Sequence, residues 1–305
     1  MAHLRTCSRS LGLPCLAALA FVAGCATTAA PKGEKVNAIE VAGDEPIGKF
    51  LADTDKAIVH WSNLSLTASS SAEHREARVL ESVLVDRTTR RRDELIKEVE
   101  SGPPINRIRA AAALGFTRSV EAQSPLLAAL GDSNPDVVHN ALMGLAILGR
   151  GDTPLEAIAK LLERNPDAQT RSQAAWAMRS IVQAGGSGQE VVMTARRALV
   201  DSEPFVRVQS ALTLGISNDK DSVPALGDLL YDKVTLVSRA AGEALTLIAK
   251  KDPGQKGPVG RRLVEALTRG DAKLQKRSKE ALVQISDVNY GDDLKLWTEW
   301  AKRLP

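Results

Sequence analysis

Near neutral pH, acid–base and metal chemistry falls most often to histidine, and in the body of this chain histidine is sparse. His60, His74 and His139 are scattered; none belongs to a His-Glu-x-x-His pattern and none has a second histidine at metal-ligand spacing. No Gly-x-Ser-x-Gly turn presents a nucleophilic serine. The run Gly254-Gln-Lys-Gly-Pro-Val-Gly260 is rich in glycine, but no strand-like segment precedes it and its spacing is not that of a phosphate loop. It reads as a loop between helices, as does Gly185-Gly186-Ser187-Gly188. Cys7, Cys15 and Cys25 all fall within the first 25 residues, so neither a disulfide nor a cysteine metal site holds the body together. The expectation is a protein with no catalytic constellation, no cofactor and no metal.

Basic residues do cluster, at Arg90-Arg91-Arg92, Arg196-Arg197, Arg261-Arg262 and Lys276-Arg277, with acids such as Asp86, Asp93, Glu94 and Glu265 interleaved. The 40 basic and 37 acidic residues nearly balance, which argues against a nucleic-acid partner. These clusters read first as solvated faces, and second as contacts for anionic headgroups or an acidic partner.

The first residues form an address. Arg5 and Arg9 precede an apolar run from Leu11 to Val22, shorter than the roughly 20 residues a membrane-spanning helix needs. The run ends in Val22-Ala23-Gly24-Cys25, which resembles the lipobox of bacterial lipoprotein signal peptides. The resemblance implies cleavage after Gly24 and acylation of Cys25. Ala26, rather than Asp, follows the cysteine and favours the outer membrane over the inner. Residues 26–45 are small and polar and suit a tether about 70 Å long at full stretch and nearer 25 Å on average.

The rest of the chain is periodic. With 44% hydrophobic but only 3% aromatic residues, its core must be built from Ala, Leu, Ile and Val. Six segments repeat one pattern at intervals of 31 to 37 residues: Asn106–Leu114, Val137–Leu145, Thr170–Met178, Val206–Leu214, Val237–Leu245 and Leu274–Leu282. Each places small residues where two helices must come close, among them Ala112, Ala141, Ala174, Ala211, Ala241 and Ala281. Apolar residues recur at helical spacing, as in Val137, Ala141, Leu145 and Leu148. A second helix is expected after each, over Pro125–Leu130, Leu155–Leu162, Val191–Val200, Pro224–Leu230 and Val259–Leu267. Asn134-Pro135, Asn165-Pro166 and Glu203-Pro204 should set proline in the first turn of a helix. No stretch alternates with a period of two, so no sheet is expected.

These segments resemble the HEAT repeat, in the short form named after phycobilisome lyases. The best matches are Asp132-Ser-Asn-Pro-Asp-Val137, Asp201-Ser-Glu-Pro-Phe-Val-Arg207 and Asp221-Ser-Val-Pro-Ala-Leu226. The resemblance implies an all-α, right-handed α-solenoid of about six helical hairpins over residues 105–290. Within it, Arg171 and Arg207 would bond loop acids of neighbouring repeats. HEAT-repeat hydroxylases that bind two irons carry repeated His-Glu pairs, and this chain has no His-Glu dipeptide. Residues 1–24 then form the signal peptide, 25–45 the lipidated cysteine and tether, 46–104 an N-terminal helical cap and 291–305 a C-terminal capping helix with Leu294, Trp297 and Trp300.

The function expected is that of a membrane-tethered, non-enzymatic scaffold in the bacterial envelope, lipid-anchored to the outer membrane and facing the periplasm, with an envelope protein or protein assembly as partner. Its binding surface would be concave and lined by the second helix of each repeat, placing Glu156, Lys160, Arg196, Arg197, Asp228, Arg261 and Arg262 on it. A lyase-like enzyme handling a small ligand and a structural spacer are the alternatives.

Overall fold

Short polar side chains set where many of the helices begin. Ser70, Asn134, Asp167, Asp271 and Asp293 each accept a hydrogen bond from a backbone amide in the following turn. Pro104, Pro135 and Pro204 occupy the first helical turn, where a missing N–H costs nothing. Pro166 does not: Asp167 caps the next helix, so the proline stays in the preceding turn.

A computed structural model describes residues 45–305; the signal segment, Cys25 and residues 26–44 lie outside it. The described residues form fifteen α-helices and no strand. Helices α1 (Ile47–Thr67) and α2 (Ser71–Thr89) come first. Six hairpins follow: α3 (Arg92–Ser101) with α4 (Pro104–Gly115), α5 (Gln123–Ala129) with α6 (Pro135–Leu148), and α7 (Glu156–Arg164) with α8 (Ala168–Gln183). Then come α9 (Gln189–Ala198) with α10 (Pro204–Ile216), α11 (Val223–Leu229) with α12 (Thr235–Lys251), and α13 (Lys256–Arg269) with α14 (Ala272–Ile285). Helix α15 (Leu294–Arg303) closes the array.

This pairing differs from expectation by half a repeat. The Ala-rich helix is the second member of each hairpin, because the links leading into it are short and force its neighbour alongside, whereas it has little contact with the helix that follows it. The first hairpin therefore begins at Arg92, inside the segment expected to be only a cap. Stacking leaves two layers, an Ala-rich layer (α4, α6, α8, α10, α12, α14) and a second layer (α5, α7, α9, α11, α13) with α3 ahead of it. The core between them is aliphatic and falls into two clusters, one from Phe50 to Val206 and one from Ala195 to Ala301, which meet at α9 and α10. Leu114, Leu145, Leu214, Leu245 and Leu282 are each fully buried at equivalent positions.

One side-chain device recurs between hairpins. Arg107 donates to Asp132 (2.8 Å), Arg171 to Asp201 (2.8 Å) and Arg207 to Asp232 (2.9 Å), each carboxylate lying in the turn of the next hairpin. The same guanidinium donates back to carbonyls of its own turn, at Gly102, Asn165 and Asp201 respectively. Each aspartate also accepts the amide two residues on. The structural role expected for Arg171 and Arg207 is thus found, and Arg107 shares it. Val138 and Ser238 occupy the equivalent places in α6 and α12, and there the strut is missing; Arg277 of α14 instead donates to Ser238 Oγ at 3.0 Å.

The ends are sealed differently. At the N-terminus the Phe50 ring lies between the guanidinium groups of Arg87 (4.6 Å) and Arg91 (4.5 Å). Arg87 also pairs with Glu45, and Arg91 donates to the Glu45 carbonyl. Trp61 of α1 meets Phe116 edge-on at 5.0 Å, which continues the Ala-rich layer through α1. At the C-terminus Trp297 is fully buried, its indole N–H on the Gly291 carbonyl, and Trp300 packs over Gly260 of α13. Leu294, expected to share in this cap, is 37% exposed.

Candidate partner-binding face

Neighbouring helices of the Ala-rich layer touch backbone to backbone. A Cβ added to Gly144 would come within 2.5 Å of the Ala111 carbonyl, and one on Gly215 within 2.7 Å of Ala244 Cα. In the other layer α9 and α11 barely meet. A stack with one tight and one loose layer bends toward the tight one, so the Ala-rich helices line the concave side.

The residues expected on the binding surface fall in the other layer. Glu156, Lys160, Arg196, Arg197, Asp228, Arg261 and Arg262 all lie on the looser layer, on the convex side. Several are also engaged within the fold. Arg196 bonds Asp219 and Asp221, Arg197 bonds Glu163, Arg262 reaches Asp228 and Glu265, and Arg261 donates to the Ala301 and Leu304 carbonyls. Glu156 and Lys160 remain exposed. The basic run at Arg90–Arg92 is likewise paired, with Asp86, Glu94 and Asp93.

The concave face follows from the register that the strut arginines define. Five residues after the strut position stand Met143, Trp176, Leu212, Glu243 and Glu280 on successive helices. Two residues after it stand Asn140, Gln173 and Gln209. Trp176, Phe205, Ile216, Leu236 and Leu247 are half-buried and in this register fall on one face of α8, α10 and α12 as an apolar band, with Phe205 and Leu236 near the helix starts and Ile216 and Leu247 toward their ends. Polar groups edge and underlie the band. Gln173 Oε1, Gln209 Oε1 and His139 Nε2 are buried atoms with no hydrogen-bond partner among the described residues, and Gln209 is only 3% exposed. Burial pushes the Glu243 carboxyl up, against the opposing pull of Arg239 and Arg179. Glu243 of α12 thus feels the charge of Arg239 on its own helix and of Arg179 on α8.

A sequence signal for this site existed. Trp176 and Glu243 stand in helices rich in Ala, and a large or acidic residue there is expected to face out of the layer contact. Among the described residues no group of His, Cys, Asp and Glu is placed to hold a metal ion, and no helix is long and apolar enough to cross a membrane. A shallow, open depression lined by Gly149, Arg150, Gly151, Asp152, Ala184 and Gly185 lies among the links between hairpins, away from the band.

The model of HEAT repeats matches residues 92–179 and 155–246, together just over half of the chain. The chain belongs to the HEAT-repeat family. The match begins at Arg92, where the first hairpin of the array begins. No curated protein matches the HEAT-repeat chain in sequence. Solved structures similar to it share the repeat architecture at low identity. A computationally designed armadillo repeat protein for modular peptide recognition is 18% identical, covering 63% of this chain and 99% of its own, with a TM-score of 0.49. An archaeal HEAT-like repeats protein from Thermococcus onnurineus is 15% identical, covering 80% and 98%, with a TM-score of 0.48. The complex of CpcE and CpcF of phycocyanin lyase from a Nostoc species is 19% identical, covering 70% and 94%, with a TM-score of 0.46.

Proposed function

We propose that this chain is a lipid-anchored, non-enzymatic scaffold of the bacterial envelope that holds a protein segment along the concave face of its HEAT array. The observation that carries the reading is the band of Trp176, Phe205, Ile216, Leu236 and Leu247, half-buried on the concave side and flanked by Arg179, Arg239 and Glu243. Half-buried aromatic and aliphatic side chains beside charged groups are what a partner must cover to gain affinity. A solenoid spreads that gain over several repeats, each contributing a modest contact.

Cys25 would carry the anchor. Acyl chains contribute about 0.8 kcal/mol per buried methylene, so several chains on one residue give stable membrane attachment. Residues 26–44 would then tether the folded body near the outer membrane, on its periplasmic side.

The test has two parts. Intact-mass analysis of the protein from its host membranes should show cleavage before an acylated Cys25, and Cys25→Ser should release the chain from the membrane fraction. A photo-crosslinking residue at position 176 should capture one reproducible partner, while the same residue at position 160 on the convex side should not. Trp176→Ala should weaken that partner's binding by about 30-fold, the effect of losing an interfacial hot spot of about 2 kcal/mol. Equal capture from both positions would refute the concave assignment. An unmodified soluble species cut elsewhere would remove the anchor.

A further inference from the structure

The basic clusters noted in the sequence do not share one fate. Those at residues 90–92, 196–197 and 261–262 are tied to carboxylates or carbonyls of the same molecule. The cluster on α14 is not. Lys273 and Lys276 are exposed and make no ion pair among the described residues, and Arg277 donates to a neutral hydroxyl, Ser238 Oγ. That contact also fixes the register, in which Lys276 takes the position that Arg239 holds on the preceding concave helix. Helix α14 carries Lys273, Lys276, Arg277 and Lys279 against the single acid Glu280, in a chain whose charges otherwise nearly balance. Lys279 is paired with Asp292, and Glu280, though on the same face, makes no ion pair. The concave face therefore changes character along its length, from the apolar band over α8, α10 and α12 to a mainly basic end formed by Arg239 and α14, with Glu243 and Glu280 among the cations.

We infer that the C-terminal end of the concave face binds an acidic segment of the partner protein, with Lys273, Lys276 and Arg239 receiving its carboxylates while Trp176 and Phe205 hold an apolar residue upstream or downstream of the acids. This rests on the concave-binding reading above and adds the chemistry of the partner. Unpaired cations on an exposed surface attract carboxylates over about 10 Å at ordinary ionic strength, and they discriminate strongly against cationic segments. From α8 to α14 there are three helix spacings of about 8–10 Å. An extended chain at about 3.3 Å per residue covers that distance in roughly eight or nine residues.

The test uses bead-displayed random dodecapeptides and the full-length chain in detergent. Wild-type protein should select peptides that pair Asp or Glu with a large apolar residue, and its binding should weaken as salt is raised. The double variant Lys273→Glu, Lys276→Glu should lose those peptides by at least tenfold and select Lys and Arg instead; Lys273→Arg, Lys276→Arg should keep the wild-type preference. Both lysines are exposed, so the fold should survive, which thermal melting checks. If wild type and the charge-reversed variant select peptides of the same charge, the inference fails. Apolar binders that need Trp176 but no acid would leave the concave reading intact and remove this one. The absence of any Trp176-dependent peptide would remove both. Displacement of the selected peptides by phosphatidylglycerol vesicles, but not by neutral ones, would make the basic end a lipid contact and likewise overturn the inference.

Discussion

Arg207 is 9% exposed and holds three groups at once: the Asp232 carboxylate and the carbonyls of Asp201 and Ser202. Arg207→Ala leaves Asp232 without its counter-charge in a half-buried turn. The expected loss is about 3 kcal/mol, read as a lower urea midpoint, because removing one partner of a buried pair costs more than the pair contributes. A change below 0.5 kcal/mol would show that the struts do not hold the hairpins together. The carboxylates also set the pH response. Arg107 holds the Asp132 carboxyl below its ordinary range; burial pushes Asp201 up, but Arg171 and the Glu203 amide outweigh it. Stability from these groups is present above the unfolded carboxylate pKa of about 3.9 and lost as pH falls through their lower folded values. Glu243 runs the other way. Its raised folded pKa gives stability below 4.5 that disappears as pH rises through the folded value. Glu243→Gln should therefore stabilise the protein at pH 7 more than at pH 4; the reverse order in urea unfolding would contradict the burial argument. Gln209→Met removes a buried acceptor that has no partner, and should leave stability unchanged or raise it by about 1 kcal/mol.

Helix-to-helix spacing is set by glycine and alanine, and here two preferences oppose each other. Gly→Ala inside a helix normally gains about 1 kcal/mol. At Gly48 nothing lies within 4 Å of the added methyl, and Gly48→Ala should stabilise α1. At Gly144 the methyl meets the Ala111 carbonyl at 2.5 Å and the Leu126 side chain at 2.9 Å, so the backbones of α4 and α6 must part. Overpacking of this kind costs about 1–3 kcal/mol, and Gly144→Ala should lower the melting temperature while Gly48→Ala raises it. The same small-residue spacing made the six Ala-rich helices legible in the sequence, together with their core leucines. It could not give the phase of the repeat. A periodic pattern fixes the interval but looks the same whichever helix opens the unit, and the two are told apart by link length, shortest before α4, α8 and α14 at 102–103, 165–167 and 270–271. With the phase shifted by half a repeat, the expected binding surface falls on the layer opposite the Ala-rich helices. Trp176 was visible as a residue but not as part of the band, because Phe205 and Leu236 join it through register across helices, not along the chain.

At the scale of the whole molecule, the two ends and the struts divide the work of stability unevenly. Trp297 is fully buried between Tyr290 and Trp300, at ring distances of 5.0 and 5.8 Å, and covers the last hairpin. Trp297→Ala should cost about 3–5 kcal/mol, and its effect should fall mainly on α13–α15, because repeats couple chiefly to their neighbours. Hydrogen exchange resolved by segment would show this, and uniform loosening of the array would count against it. In the wild type the same measurement should find faster local opening where α6 meets α8 and where α12 meets α14 than where α8 meets α10, since Val138 and Ser238 replace the arginine at the first two junctions.

Those two gaps in the arginine series have a mechanical meaning. They divide the array into three blocks, α3 to α6, α7 to α12 and α13 to α15, joined at two seams that lack the Arg–Asp strut. One seam lies at the Met143 edge of the apolar band and the other at the approach to the lysines of α14. Bending at either would change the width of the groove, and an array that opens there as expected would flex as a jointed clasp. A chain gripped across both seams would splint them, and the loaded protein would be stiffer than the empty one.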